Sequence, residues 1–297
     1  MHFIFTDSKC SGPVGLRLPT HLGHLVVYCG FTKTIFQDFD ANTLRKLVAL
    51  SIFQRSRMSQ LTEDYTLVAK LGNLRTFVQL LRSINFQNAT CSATDSGLKV
   101  TVEDSKCMQG SCYIPSNVFE EFSVKEDAMF KIDLNVLVEC ISMFGSSISG
   151  QDGIITDCSL KTQQPDELVD FHLDPELCVY VHLSMKSNIF VSIQLHLSPD
   201  APFFTITTHG LGGQCRIELP HDSELVDSFQ CKAPATFGYK FMHIRPTLKA
   251  LGCASKVSLR TDEFGLLCFQ YMVRSDKGTP CYVEYFISPV LNENEDD

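Results

Sequence analysis

No stretch of the 297-residue sequence approaches the roughly 18 consecutive apolar residues that a membrane-spanning helix needs. The start also lacks a basic segment followed by an apolar run, so no secretory signal is expected. The composition, 44% apolar and 20% charged, is that of ordinary globular proteins and excludes disorder for most of the chain. We therefore expect a soluble protein that is neither secreted nor bound to a membrane.

Positive charge is scarce. The chain has 25 Lys and Arg against 34 Asp and Glu, which excludes a protein that coats nucleic acid over its whole surface. Residues 1–57 hold seven of the basic and three of the acidic residues, so the remainder has 18 against 31, a net charge of −13. Contact with DNA beyond residue 57 therefore requires cations gathered on one face.

Signatures of catalysis and metal binding are also missing. Zinc needs paired Cys or His at short spacing, and the nearest approaches, Cys107 to Cys112 and His21 to His24, lack second pairs. A phosphate-binding loop and a nucleophile elbow are not found. An Asp-x-Glu occurs at Asp174-Pro175-Glu176, and the one His-x4-Asp, from His2 to Asp7, lies at the opposite end from where an exonuclease would have it. We predict no catalytic residue, metal or cofactor; an exonuclease using Asp174 and Glu176 stays an alternative.

Thirteen cysteines are scattered singly through apolar strands such as Leu177 to Leu183, where a thiol behaves as a small hydrophobe. This usage predicts a reducing compartment, the cytosol or the nucleus.

Residues 1–57 differ from the rest of the chain. Gly and Pro cluster between Ser11 and Gly30, and a basic amphipathic helix is predicted near Thr43 to Arg57. That helix would suit targeting or a membrane surface. The alternatives are a loosely ordered extension or untranslated upstream sequence, since Met58 resembles a natural start.

Beyond Met58, alternation of apolar and polar residues predicts antiparallel strands. The alternating segments are Leu98–Val102, Phe130–Leu134, Val191–Leu197, Val257–Leu259, Leu267–Val273 and Val283–Ile287. Gly97, Gly265 and Gly278 supply the turns between strands.

Three helices are predicted from apolar residues at helical spacing. The first follows a cap at Asn73 and runs through Leu81, and the second includes Leu137 to Phe144 and ends at Gly145. The third begins at Pro246 with Leu248 and Leu251 inward, and ends at Gly252. Each has one apolar stripe, so each should lie on a sheet.

The two halves repeat the same order of elements. An apolar-Pro pair precedes an acidic stretch at Ile114-Pro115 and again at Leu219-Pro220. An aromatic-Lys strand then leads into a helix at Phe130-Lys131 and at Tyr239-Lys240. The offset is the size of one domain, so we predict an α+β fold built from a duplicated unit.

Basic residues on the helices are the one positive functional signal. Arg75 and Arg82 are seven residues apart and share one side of the first helix, and Arg245 and Lys249 have a comparable place at the third. A solvated helix face is the alternative. A functional role is favoured because both halves place cations on their few helices in an acidic protein.

Several segments between residues 65 and 289 are similar to the Rad-one subunits of the nine-one-one checkpoint clamp, a DNA sliding-clamp family related to the proliferating cell nuclear antigen. The matching segments are Ala89–Thr94, Gly97–Glu103, Phe119–Phe122, Cys140–Ser147, Leu197–Phe204, Lys256–Asp262 and Val283–Tyr285.

The resemblance implies two DNA-clamp domains, with antiparallel sheets outside and a few helices on the inner face. The implied divisions are an unmatched extension 1–57, clamp domain one 58–162, a connector 163–174, clamp domain two 175–290 and an acidic tail 291–297. The segment Lys161 to Asp174 resembles the connector between clamp domains, and partner peptides would dock beside it.

The resemblance further implies a nuclear, non-catalytic ring subunit in the DNA-damage checkpoint, DNA repair and the cell cycle. Edge strands would pair with the Rad-nine and Hus-one subunits in a heterotrimer, and a clamp loader would place the ring around double-stranded DNA. The candidates for the inner, DNA-facing surface are Lys70, Arg75, Arg82, Arg245 and Lys249.

The chain departs from the family in two places. Between Gly145 and Gly153 about twenty residues, enough for two strands, are missing, and between Ser184 and Ile189 a helix is missing. Three channel helices would then remain where the family has four. Such gaps suggest an alternative transcript or a faulty gene model, and a monomeric scaffold that does not enter the ring is the third hypothesis.

Overall fold

The computed structural model describes residues 2–6, 24–29, 66–84, 88–145, 156–173, 177–181, 190–220, 222–224 and 226–290. The described residues pack as two compact units that alternate along the sequence. Unit 1 is drawn from residues 1–74, 90–98 and 115–166, and unit 2 from residues 75–89, 99–114 and 167–297.

Strands dominate both units. The first nine are β1 (His2–Thr6), β2 (His24–Cys29), β3 (Leu67–Lys70), β4 (Asn88–Thr94), β5 (Gly97–Asp104), β6 (Met108–Pro115), β7 (Glu121–Val124), β8 (Ala128–Asp133) and β9 (Thr156–Lys161). The next nine are β10 (Leu177–Val181), β11 (Phe190–Leu197), β12 (Phe204–Gly210), β13 (Gly213–Leu219), β14 (Val226–Cys231), β15 (Ala235–Lys240), β16 (Lys256–Thr261), β17 (Leu267–Arg274) and β18 (Pro280–Ile287). The helices are α1 (Arg75–Ser83), α2 (Leu134–Gly145), the single turn α3 (Phe241–Ile244) and the 3₁₀-helices Ser116–Val118 and Thr247–Gly252.

A five-stranded sheet of unit 1 has the order β7-β3-β1-β2-β9, and its neighbouring strands are all antiparallel. Two of these strands, β1 and β2, come from the N-terminal region. The expectation of a loosely ordered extension is therefore wrong for residues 2–6 and 24–29, whose backbones are paired on both sides. The helix predicted near Thr43 to Arg57 lies outside the described residues.

Seven strands of unit 2 follow one another in the order β14-β10-β16-β17-β18-β6-β5. β6 comes from the first half of the sequence and β18 from the second, and they pair from Met108 with Ile287 to Tyr113 with Tyr282. At Gly110 the partner is Tyr285, and an added Cβ there would lie 2.6 Å from the ring. Glycine at this position lets the large tyrosine lie against the strand.

A second sheet of unit 2 has the order β13-β12-β11-β15. Its alternating residues Ile193, Leu195 and Leu197 are buried, as the sequence predicts, while Val191 is 63% exposed. β13 is an edge strand, and six of its seven residues, from Gly213 to Glu218, are exposed.

The local patterns are largely confirmed. All six alternating segments lie in strands, except that Leu134 begins α2 instead of ending β8. The Asp133 carboxylate accepts hydrogen bonds from the backbone N–H groups of Asn135 and Val136, and this N-cap fixes the start of α2 one residue earlier than alternation suggests. Gly97, Gly265 and Gly278 all have positive φ.

The α+β fold with antiparallel sheets is confirmed, whereas the boundaries at 57, 162, 174 and 290 stay a prediction. The two segments where the sequence predicts residues missing relative to the family, 146–152 and 185–188, lie outside the described residues, as does the predicted acidic tail 291–297.

Candidate nucleic-acid interface

Helix α1 presents one buried and one exposed side. Phe77, Leu80 and Leu81 are buried, together with Thr76 and Ser83. Arg75 and Arg82 are exposed, and Gln79 between them is half-buried. The two arginines thus share the exposed side of the helix, as their spacing predicts, and their contact with DNA stays a prediction. Arg82 is in the last turn, where a cation also stabilises the helix dipole.

The second basic element is α3 followed by the 3₁₀-helix Thr247–Gly252. The sequence predicts a helix with Leu248 and Leu251 inward, but these two are half-buried, and Thr247 and Ala250 are fully buried instead. Pro246 has no N–H to donate, so the α-helical turn ends there. Residues three apart align in the 3₁₀-helix that follows. Arg245 and Lys249 remain exposed.

Two buried tyrosines of the sheet form hydrogen bonds with α1 and with the 3₁₀-helix Thr247–Gly252. The hydroxyl of Tyr285 on β18 donates a hydrogen bond to the carbonyl of Ser83, the last residue of α1, and lies 3.5 Å from the carbonyl of Pro246. The hydroxyl of Tyr271 on β17 donates to the Thr247 hydroxyl at 3.2 Å. The two rings meet edge to face with centroids 6.4 Å apart. The tyrosine pair thus joins the sheet to both basic elements.

Burial raises the pKa of both tyrosines. For Tyr285 the increase is also due to the nearby Tyr271. Both hydroxyls therefore stay protonated at physiological pH and remain hydrogen-bond donors. A buried carbonyl at the end of a helix needs such a donor, because an unpaired buried acceptor costs free energy.

Helix α1 and the 3₁₀-helix Thr247–Gly252 contact each other within unit 2. Four of the five candidate residues, Arg75, Arg82, Arg245 and Lys249, are thus carried by neighbouring elements. Unit 2 as a whole is acidic, because residues 75–89, 99–114 and 167–297 hold 14 Lys and Arg against 19 Asp and Glu. We call these four residues the helix cations.

The fifth candidate, Lys70, differs from the others. It lies on β3 in unit 1, is about half-buried, and forms an ion pair with Glu120 at 3.3 Å. Its charge is therefore partly neutralised at short range. Helix α2, also in unit 1, carries no Lys or Arg and exposes Glu139. The basic character predicted for the helices thus applies to α1 and to the 3₁₀-helix, but not to α2.

Lys240 is an exposed cation that the sequence reasoning missed. It stands directly before α3. Burial lowers the pKa of the nearby His243, the charge of Asp104 raises this pKa in part, and the charge of Lys240 lowers it. His243 is buried, so it adds no cation to the surface at neutral pH. The aromatic-Lys pair Tyr239-Lys240 is the sequence feature that could have indicated this cation. Its counterpart in the first half, Lys131, instead forms an ion pair with Asp166.

The segment predicted to be the clamp connector, residues 163–174, contacts unit 1 with its first residues and unit 2 with its later described ones. In unit 1, Gln163 exchanges backbone hydrogen bonds with Lys131. In unit 2, the Val169 N–H donates to the Glu103 carboxylate at 2.9 Å, and the Phe171 ring stacks on Phe286 at 5.9 Å. Residues 163–173 are thus held by side chains and backbone while most of their polar groups stay exposed.

Nothing in the described part of the chain resembles a metal site, as no three His, Cys, Asp or Glu there come together in a suitable group. Asp174 and Glu176, the residues of the exonuclease alternative, lie outside the described residues. Among the described helices, none is long and apolar enough to cross a membrane. Cys91 and Cys281 are buried thiols, and burial raises their pKa to about 12 and about 11.

The model of the family "Repair protein Rad1/Rec1/Rad17" matches residues 66–151 and 148–273. The human "Cell cycle checkpoint protein RAD1" is 35% identical over 264 residues, covering 76% of this chain and 93% of that protein. The Drosophila melanogaster "DNA repair protein Rad1" is 30% identical and covers 77% and 96%. The Schizosaccharomyces pombe "DNA damage checkpoint control protein rad1" is 25% identical and covers 75% and 86%.

The alignment with the human protein contains large gaps in this chain. Since 76% of 297 residues is about 226, some 38 of the 264 aligned positions have no residue here. The two matches to the family model meet at residues 148–151, where the sequence reasoning placed one of the two gaps.

Proposed function

The chain belongs to the Rad1 family of repair and checkpoint proteins, and from this membership we propose that it is a non-catalytic subunit of a heterotrimeric DNA sliding clamp. It would act in the nucleus, in DNA-damage checkpoint signalling and repair. The observation that carries the proposal is the pair of contacting basic elements, α1 and the 3₁₀-helix Thr247–Gly252, on a chain with a net charge of −9.

The helix cations would face DNA in the channel of the ring. A ring retains DNA by enclosing it, so the protein needs diffuse positive charge and no base-specific contacts. Four exposed Lys and Arg side chains, on α1 and on the segment from Arg245 through the 3₁₀-helix, supply such charge without making the whole surface basic. Lys70 would contribute a charge that its ion pair with Glu120 partly neutralises.

Two edge strands support ring assembly. β9 ends the five-stranded sheet of unit 1, and β13 ends the four-stranded sheet of unit 2. An exposed sheet edge offers unpaired backbone groups to a strand of another protein. We propose that one of these edges pairs with Rad-nine and the other with Hus-one, and that a clamp loader opens the ring around double-stranded DNA.

The assembly test uses the full chain, because β1 and β2 form part of the sheet of unit 1. Co-expression with the Rad-nine and Hus-one subunits should give a 1:1:1 complex in size-exclusion chromatography with multi-angle light scattering. Replacing Ile217, which is 42% exposed on β13, by Asp places a charge on the proposed interface edge and should abolish the three-component complex.

The matched control is Phe264→Asp, because Phe264 is an exposed apolar residue in the turn between β16 and β17 and not on a sheet edge. This variant should assemble like the natural chain. A monomeric natural chain in the presence of both partners would refute the proposal and favour a scaffold outside the ring. Equal assembly of both variants would refute the role of β13.

A further inference from the structure

The central strands of the sheet in unit 1 come from an unexpected part of the chain. β1 and β2 lie between β3 and β9, yet residues 2–29 precede the region matched by the family model, which begins at residue 66. β1 pairs with β3 from His2 with Lys70 to Phe5 with Leu67. β2 pairs with β9 along its full length, from His24 with Lys161 to Cys29 with Thr156.

The second half of the chain contains a sheet of the same plan. There the order is β14-β10-β16-β17-β18, with all neighbours antiparallel. β10 and β3 occupy equivalent positions in their repeats, as do β14 and β7, and β18 and β9. The positions of β1 and β2 in unit 1 thus correspond to those of β16 and β17 in unit 2.

The equivalent strands differ in origin. β16 and β17 come from the 27 residues between Gly252 and Pro280. The corresponding stretch in the first half, between Gly145 and Thr156, has ten residues. Strands as long as β1 and β2 take up eleven residues before any turn is counted, so ten cannot supply the pair.

Without an inserted pair, β3 and β9 would each present an unpaired edge in the middle of the sheet. Buried backbone N–H and C=O groups are almost always paired, because unpaired ones cost free energy. The edges of β3 and β9 therefore form a surface that fits two antiparallel strands, and no more than two.

We propose that β1 and β2 are a strand-pair insert that replaces the two strands missing after α2, and that the edges of β3 and β9 are its binding site. The insert binds through backbone pairing and does not depend on its covalent connection through residues 30–66. A protein that lacks strands after α2 thus regains a complete five-stranded sheet from its own N-terminal segment. The inference stands on the repeat comparison and is independent of ring assembly.

The test cuts the connection in the full-length protein. A specific protease site introduced within residues 35–56 allows cleavage of the folded chain in reducing buffer, so that Cys10 and Cys29 form no disulfides. The N-terminal fragment should stay with the remainder through size-exclusion chromatography and separate from it in denaturant. A labelled synthetic peptide of residues 2–29, added in excess, should exchange into the cleaved protein and saturate at one equivalent.

The variant Val27→Pro tests the pairing itself, because Val27 lies in β2 opposite Phe3 on one side and Cys158 on the other. Proline removes a donor from this central strand. The fragment should then be lost on cleavage, and amide exchange in β3 and β9 should rise at least tenfold while β16 and β17 keep their protection. The matched control, Leu18→Pro, lies between the two strands and should retain the fragment.

Separation of the natural fragment after cleavage, together with no uptake of the labelled peptide, would overturn the proposal. So would equal retention in Val27→Pro and Leu18→Pro. If Val27→Pro does not fold at all, the peptide-exchange experiment on the natural sequence still decides. None of these measurements involves partner subunits or DNA, so failure of the insert and failure of the clamp function are distinguishable.

Discussion

Replacing all four helix cations with alanine should weaken binding of the assembled clamp to DNA and flatten its salt dependence. The residues are Arg75, Arg82, Arg245 and Lys249. Each cation that no longer neutralises a phosphate reduces the slope of log Kobs against log salt by about 0.9, so removing all four reduces it by about 3 to 4. The measurement is fluorescence anisotropy of labelled duplex DNA with the three-subunit complex over a series of salt concentrations.

The control for overall charge removes four exposed cations from strands and turns. These are Lys99, Lys232, Arg274 and Lys277. This variant has the same net charge as the first but should keep a slope close to that of the natural protein. Lys70→Ala alone should reduce the slope by less than the value of about 0.9 for one released phosphate contact, because the ion pair with Glu120 partly neutralises Lys70. Equal slopes for both fourfold variants would contradict the assignment of the helix cations.

Replacing Tyr285 with alanine should destabilise unit 2 by about 3 to 5 kcal/mol, as for other large aromatic residues in a core. Tyr285 is fully buried, packs edge to face on Tyr271, and is the donor to the last residue of α1. The substitution removes the ring and leaves the Ser83 carbonyl without this donor. Urea denaturation followed by far-UV circular dichroism measures the loss.

Tyr285→Phe separates the hydroxyl from the ring. It keeps the packing but removes the hydrogen bond to Ser83, and should cost about 1 to 3 kcal/mol, the penalty of an unsatisfied buried acceptor. Tyr282→Ala, on the same strand at a half-buried position, should cost clearly less than Tyr285→Ala. If Tyr285→Ala and Tyr282→Ala unfold at the same urea concentration, the tyrosine does not support α1 as described.

The strands and their buried faces could be predicted because alternation is a local property of the sequence. Val100 and Val102 on β5, and Val283 and Tyr285 on β18, are buried where the alternation places them. The partner of a strand is not a local property. Nothing near His2–Thr6 indicates that it pairs with Leu67–Lys70, so β1 and β2 were missed even though each is rich in apolar residues.

The exposure of Arg75 and Arg82 could be predicted because exposed positions follow from helical spacing, while their contact with DNA stays a prediction. Two features of the site could not be predicted from the sequence. Which residues of the segment after Pro246 face inward depends on its 3₁₀ geometry. Apolar spacing at α-helical intervals wrongly predicts that Leu248 and Leu251 are these residues. The support of α1 by Tyr285 joins residues 202 positions apart, and local patterns carry no information on such contacts.

Retention on circular DNA tests the proposed function most directly. The three-subunit complex, containing the full chain, is loaded by the clamp loader with ATP onto a gapped circular plasmid and washed at a salt concentration that removes simple electrostatic binding. We predict that the complex stays on the closed circle and leaves within minutes when a restriction enzyme linearises the plasmid. Equal retention on circular and linear DNA, or no retention on either, would contradict enclosure of DNA by a ring that includes this chain.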